Sequence, residues 1–245
     1  MKIRIKFSKY GPVKFIGHLD VMRYFQKAIR RAEIDIAYSE GFSPHQIMSF
    51  AAPLSVGHTS QGEYFDIEVN NFTGCDDTKR RLQEVMVEGI DVLDVKELSE
   101  KDGNAMASVA AASYLVSFRD ESALPVGWQA ELTAFYSRPQ IPVTKPNKKG
   151  KGEKEIDLKE SIYDLEIRKG TMKWNEQENI PETEVYMLLN ASSAGNIKPG
   201  FVLEKFFETI EYTLPDFALI IHRVDTYQNI GTDKEVKLVP LIWEK

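Results

Sequence analysis

The feature that most constrains the fold is a change of hydrophobic period, from two to between three and four and back again, within residues 1–98. Met1-Lys2-Ile3-Arg4-Ile5-Lys6-Phe7 alternates apolar and charged side chains, so residues 2–8 read as a strand. Tyr10-Gly11-Pro12 is a turn signal. From Gly17 to Ala32 the residues Leu19, Met22, Phe25, Ile29 and Ala32 fall three or four apart, on one helical face. Arg23, Lys27, Arg30 and Arg31 fall mainly on another. Residues 34–38 read as a short strand, Glu40 to His45 as a loop, and Ile47 to Phe50 as strand again. Glu63 to Val69 alternates, residues 76–88 place Leu82, Val85 and Met86 on one helical face, and Ile90 to Val95 alternates once more. The order β-α-β-β-α-β is the ferredoxin-like pattern.

A similar order follows. Residues 99–111 read as a connector with a helical turn. Tyr114 to Phe118 is expected as strand, Trp128 to Tyr136 as a helix introduced by Pro125, and Ile141 to Thr144 as the start of a strand. Pro146 to Lys154 is a lysine- and glycine-rich hairpin or mobile loop, and Glu155 to Arg168 reads as strand, either continuous or broken by a turn. Glu184 to Asn190 is strand, and Pro199 opens a helix through Phe207 from a first-turn position. Phe217 to Tyr227 and Val236 to Trp243 are strands joined by a turn at Asn229 to Asp233. The expected fold is therefore α+β: two tandem ferredoxin-like halves, 1–98 and 112–245, joined by 99–111. The second half carries a basic loop at 145–154 and a C-terminal hairpin. This rests on element order, without a residue-level repeat.

Composition excludes some classes. Of 245 residues, 42% are hydrophobic and 28% charged, as in ordinary globular chains. No twenty-residue apolar span and no apolar leader are present, so a cytoplasmic protein without a membrane partner is expected. The single cysteine, Cys75, makes neither an internal disulfide nor a cysteine-rich cluster, and a reducing compartment fits. Net charge is −6, but residues 1–52 hold nine Lys/Arg against four acids. That segment is +5 and the remainder −11, an asymmetry that lets one face meet an anion.

The most unusual segments are Gly17-His18-Leu19-Asp20 and Tyr38-Ser39-Glu40-Gly41-Phe42-Ser43-Pro44-His45. A metal reading takes His18, Asp20 and His45 as ligands, at a spacing that matches no standard zinc pattern. An acid–base reading has His18 or His45 act on a phosphodiester beside the basic helix face. A structural reading has His18 cap or pack against the helix, while Pro44-His45 shapes a turn. Arg23, Lys27, Arg30 and Arg31 are candidate phosphate contacts or a solvated face. Tyr24 and Phe42 are candidate stacking residues or core. Lys145, Lys148, Lys149, Lys151 and Lys154 form a basic loop expected to be disordered without an anionic ligand. In Asn190 to Pro199, small residues with Gly195, Asn196 and Lys198 lead into a helix N-terminus, either as an anion-binding turn or as an N-capped turn. The Gly-Lys-Ser/Thr ending of a P-loop is absent.

Phe15-Ile16-Gly17-His18-Leu19-Asp20-Val21-Met22, Arg30-Arg31-Ala32, Ala37 to His45, Ser49-Phe50, Lys154 to Asp157 and Gly195 to Pro199 together resemble the bacterial radical SAM-linked protein family. The family usually has Asn at Ser43 and Pro at Gln46. The resemblance implies a companion encoded beside, or fused to, a radical SAM protein, without an established activity or functional residues to carry over. With one cysteine, this chain lacks the three-cysteine cluster motif and would itself hold no cofactor. Tandem ferredoxin-like halves are also similar in fold to RAMP proteins, which bind and cut CRISPR RNA, some using a histidine.

Three functions are carried forward. The first is a non-catalytic accessory module that holds RNA or another anionic substrate for a radical SAM partner. Its contacts are Arg23, Lys27, Arg30 and Arg31 for phosphate, and Asp20, Tyr38, Glu40, Phe42, Ser43, Gly195, Asn196 and Lys198 for substrate. The second is a metal-independent endoribonuclease using His18 or His45. The third is a structural docking partner that binds no nucleic acid.

Overall fold

The computed structural model describes residues 1–146, 152–170, 181–232 and 235–243. In chain order the elements are β1 (Lys2–Lys9), α1 (His18–Arg31), β2 (Met48–Phe50), β3 (Thr59–Glu68), α2 (Cys75–Gln83), β4 (Val92–Leu98) and α3 (Ala105–Ser108). They continue with β5 (Ala111–Phe118), α4 (Trp128–Tyr136), β6 (Pro142–Pro146), β7 (Glu153–Asp157), β8 (Ile162–Lys169), β9 (Thr183–Asn190), α5 (Pro199–Thr209), β10 (Leu219–Asn229) and β11 (Leu238–Pro240). The protein is α+β, with mostly antiparallel strands and few helices. Among the described residues no helix is long and apolar enough to cross a membrane. The chain divides into two compact units, Met1–Ala110 with His222–Lys245, and Ala111–Ile221.

In the first unit β1 lies between β4 and β3, antiparallel to both, with Ile5 opposite Phe65 on one side and Val95 on the other. β2 adds antiparallel to β3, Phe50 facing Phe65. Near the start of β3, β10 runs parallel to it, His222 opposite Thr59 and Arg223 opposite Ser60. Alternation decides what each face does. Ile3, Ile5 and Phe7 join Phe65 and Ile67 under Val21, Phe25 and Ile29 of α1. Phe7, Phe25 and Phe65 form the centre, with ring centroids 4.7 Å (Phe7–Phe25) and 4.6 Å (Phe25–Phe65) apart. Gly62 is required where β10 passes: a Cβ there would lie 2.3 Å from Asp225 Cα.

Helix α1 buries Phe25 and Ile29 as its spacing predicts, but Leu19, expected on that face, is exposed and Val21 is buried in its place; the helix stops in a Schellman-type turn. Ile34 N–H donates to Ile29 O, and Glu33 takes the left-handed conformation at φ 54°. Asp20 in the first turn and Arg30 and Arg31 in the last complement the helix dipole.

Several local expectations shift. Residues 34–38 form isolated bridges, Ile36 to Val69 and Tyr38 to Gln46, and no extended ladder. The second helix ends at Gln83, because Tyr24 Oη accepts from Val87 N and holds the following segment in a turn. Val85 and Met86 still pack against the core from there.

Residues from His222 onward, expected with the second half, belong to the first unit. Ion pairs and side-chain bonds to carbonyls hold them there. Arg4 Nη1 donates to Leu241 O (3.1 Å), Lys6 pairs with Asp225 (2.7 Å), and Lys96 donates to Trp243 O (2.5 Å).

In the second unit β9 lies between β5 and β8, antiparallel to both. β6 and β7 form a separate antiparallel ladder in which Lys145 and Lys154 are opposite each other. Trp128, Leu132 and Phe135 of α4 and Leu203, Phe206 and Phe207 of α5 fill one apolar core with the strands. Lys148, Lys149, Lys151 and Asp233 lie outside the described residues.

Candidate functional site

The first unit carries the sequence-predicted basic helix face. Asp20, Arg23, Lys27, Arg30 and Arg31 are exposed on α1. Arg23 meets Asp20 at 3.4 Å with both side chains open to solvent, a geometry that contributes little to stability. Arg31 lies over the Tyr24 ring at 5.6 Å and donates to Val85 O, so its guanidinium is oriented and Tyr24 is partly covered. From Arg23 to Arg30 the cations extend about 10 Å along the helix axis.

Residues 39–45 form a loop closed at its base. Ser39 N–H donates to His45 O at 2.8 Å, His45 N–H donates to Ser39 Oγ at 3.1 Å, and the same hydroxyl lies 2.8 Å from His45 Nδ1. Gln46, buried just after it, donates from Nε2 to Gln26 O and fastens the loop base to the middle of α1. Tyr38, Glu40, Phe42, Ser43 and His45 are all exposed, and Phe42 is fully so. An aromatic ring left entirely in water costs burial energy, and here the sequence holds it out beside a basic helix.

His18 goes elsewhere. Its ring meets the Phe50 ring edge-on at 5.4 Å, and it makes no side-chain hydrogen bond among the described residues. Gly17, the N-cap of α1, supplies no side-chain cap. Below this helix start lies a cleft of ≈ 280 Å³, mouth included, lined by Lys9, His18, Val21, Phe50, Leu54 and Glu63.

Lys9 continues the inward parity of Ile3, Ile5 and Phe7 and is almost fully buried. Its ammonium donates to Ile16 O (2.8 Å) and Lys14 O (3.4 Å). Burial lowers its pKa, and the nearby Glu63 carboxylate partly offsets this. Glu63 is itself tied to Arg223 Nη1, at 2.9 and 3.2 Å. Arg223 also donates to Ala52 O and Pro53 O. His18 and His45 thus have separate partners. Among the described residues no three His, Cys, Asp or Glu side chains gather as a metal-binding group, His18, Asp20 and His45 included.

In the second unit the turn before α5 is closed upon itself. Ser192 N–H donates to Asn190 Oδ1, Gly195 N–H to Ser192 O and Oγ, and Ile197 N–H to Asn190 O. These N–H groups are therefore spent within the turn. Gly195 packs so close to the Asn190 side chain that a Cβ would sit 2.7 Å from it. Lys198 is the exposed N-cap of α5, and Asn196 O accepts from Lys145 Nζ at 2.7 Å.

A family model described as "Uncharacterized protein conserved in bacteria (DUF2344)" matches residues 2–199. The chain belongs to this bacterial family. No curated protein matches the sequence. Among solved structures, a chain of "Crystal Structure of a Cbf5-Nop10-Gar1 Complex" is similar at 9% identity and a TM-score of 0.46. The match covers 91% of this chain and 48% of that one, so this chain spans about half its length.

In this DUF2344 chain, sequence reasoning missed Lys9, Glu63 and Arg223. The parity of β1 marks Lys9 as inward-facing. Nothing local marks Arg223, 160 residues from its partner.

Proposed function

We propose that the protein is a cytoplasmic, non-catalytic binding module for RNA, serving the radical SAM partner that the family resemblance implies. The observation that carries this reading is the exposed row Arg23, Lys27 and Arg30 on α1, beside a loop that holds Phe42 fully in solvent. Cations at helical spacing suit successive phosphates, and an exposed aromatic suits an unstacked base. Tandem ferredoxin-like halves remain our reading of the two units. Its support is the strand order β4-β1-β3-β2 in the first, with one helix after β1 and one after β3, and the path β5-β9-β8 in the second.

The test is RNA binding by fluorescence anisotropy, with chelator, at low and high salt. Wild type is expected to bind without cleaving, with affinity falling as salt rises by about 0.7 log units per log unit of salt for each phosphate neutralised. The Arg23→Ala/Lys27→Ala/Arg30→Ala variant should lose most of that slope. Absence of binding at low salt, or an unchanged slope in the variant, would end this reading. Copurification with the radical SAM protein tests the partner.

One observation favours a second reading, an endoribonuclease. His18, whose imidazole can accept or donate a proton through its ring nitrogens, lines a cleft with Lys9 and Glu63. Metal-independent cleavage abolished by His18→Ala would support it. His45→Ala tests the other candidate histidine in the same assay. Cleavage that survives both substitutions would remove it.

A further inference from the structure

The cleft at the start of α1 contains a charge that its own walls leave incompletely compensated. Glu63 and Arg223 neutralise each other through a doubly bonded pair, both nearly fully buried. Lys9, equally buried, has two backbone carbonyls and no carboxylate bonded to it. An ammonium makes three hydrogen bonds, so one donor is left over. A buried cation whose nearest carboxylate, Glu63, is shared with Arg223 is only partly compensated, and an anion brought beside it recovers part of that cost. His18 lines the same cleft with no hydrogen bond to its ring among the described residues. The first N–H groups of α1, without a side-chain cap at Gly17, add positive potential at that end, which the exposed Asp20 carboxylate of the first turn partly offsets. Glu63 opposes an anion, and its bond to Arg223 cancels most of that opposition.

Size narrows the ligand. The cleft is narrow, with room for about one water-sized group, so a single oxygen atom fits between its walls. A tetrahedral oxyanion can place one oxygen inside against Lys9 and keep the others at the mouth beside His18. We infer that this cleft is a phosphate-monoester site in which Lys9 and His18 bind the phosphoryl oxygens. Lys9 supplies a positive charge to the phosphoryl group and His18 a ring N–H donor. The site is separate from the exposed row on α1 and does not depend on that row binding RNA.

The experiment titrates the full chain with inorganic phosphate, followed by calorimetry and by ³¹P line broadening, with chloride at equal ionic strength as control. Wild type should bind phosphate. Lys9→Gln and His18→Gln should each weaken it, Lys9→Gln by about tenfold or more. His18 is only half-buried, so its variant keeps the test valid if Lys9→Gln fails to fold. The Arg23→Ala/Lys27→Ala/Arg30→Ala variant should bind phosphate as wild type does. No binding by wild type, equal binding by folded Lys9→Gln and His18→Gln, or loss in the α1 variant would each overturn the inference.

A second arm uses RNA oligomers with and without a terminal phosphate, to separate a nucleic-acid end from the free ion. A preference for the phosphorylated end that disappears in His18→Gln identifies the end as the source. Phosphate binding without any RNA binding keeps the cleft as a site for the free ion or a small monoester, while the RNA reading falls. RNA binding blind to its ends, with no binding of free phosphate, does the reverse.

Discussion

In the first unit Arg4, Lys9, Glu63, Asp66, His222, Arg223 and Asp225 are all buried, whereas in the second Glu184 is the one buried charged side chain among the described residues. The second unit is packed instead by aromatic rings such as Phe206 against Phe207 (4.7 Å) and Phe118 against Trp128 (5.0 Å). Burying charge adds less stability than burying the same volume of hydrocarbon, so its concentration in one unit calls for a reason.

Part of the reason is positional. On the face of the sheet away from α1, Arg4 grips Asp66 through Nε and Nη2 (2.8 and 3.0 Å), and Asp66 also accepts from Ala105 N at the start of α3. Lys6 and Tyr64 both bind Asp225, at 2.7 and 2.6 Å, which raises the Tyr64 pKa well above its ordinary value through burial and the adjacent carboxylate. These bonds register the connector and the C-terminal strand on the sheet. The cleft at α1 is where such pairing is incomplete, and that incompleteness distinguishes a ligand site from a structural pair.

The contrast is broken most directly by removing half of a pair. Asp66→Ala leaves Arg4 buried without its carboxylate and should cost about 3–5 kcal/mol in urea unfolding. A loss under about 1 kcal/mol would mean that the pair is solvated and the two units do not differ as described.

In the second unit, Leu203→Ala should cost about 2–5 kcal/mol, and that cost should not change with salt or with pH. A salt-dependent cost would blur the distinction.

His222 sharpens it further. Burial lowers its pKa from 6.5 to about 3, and its Nδ1 lies 2.9 Å from Thr59 Oγ1. As pH falls through 6.5 the unfolded chain takes a proton that the folded chain refuses until about 3. Stability should therefore drop across that window, at up to about 1.4 kcal/mol per pH unit. His222→Gln should flatten this part of the profile. An identical profile in the variant would assign acid sensitivity to other groups.

Lys9 gives the smallest effect, with the window at the alkaline end. Its folded pKa lies below 10.5, so the unfolded chain holds the proton longer and stability rises as pH climbs toward 10.5. Lys9→Met should remove that rise. A stability difference between wild type and variant that stays constant with pH would show that Lys9 is solvated.

Much of the architecture is legible from local pattern. The strand parity of residues 2–8, the helical face of Phe25 and Ile29, and the exposed placement of Arg23, Lys27 and Arg30 all follow from side-chain period. The loop carrying Phe42 and His45 could be recognised as a loop, but not its closure by Ser39 or its fastening through Gln46 to Gln26. Lys2, Arg4 and Lys6 share the face of β1 opposite Ile3, Ile5 and Phe7. In the structure Arg4 is buried and Lys6 is only partly exposed, because the connector and the C-terminal segment cover that face.

The sequence by itself determined most of the order of elements, the inward face of β1 at Ile3, Ile5 and Phe7, the burial of Phe25 and Ile29 on α1, and the lack of a second cysteine for a disulfide. These are local properties, set by the three-to-four-residue and two-residue periods of the backbone. Only the tertiary structure decided that β10 returns to the first unit, that Gly62 lets Asp225 approach, and that Lys9, His18 and Glu63 share a cleft with Arg223 bonded to Glu63. Those outcomes depend on desolvated charges finding partners far along the chain, a condition that no sequence window records.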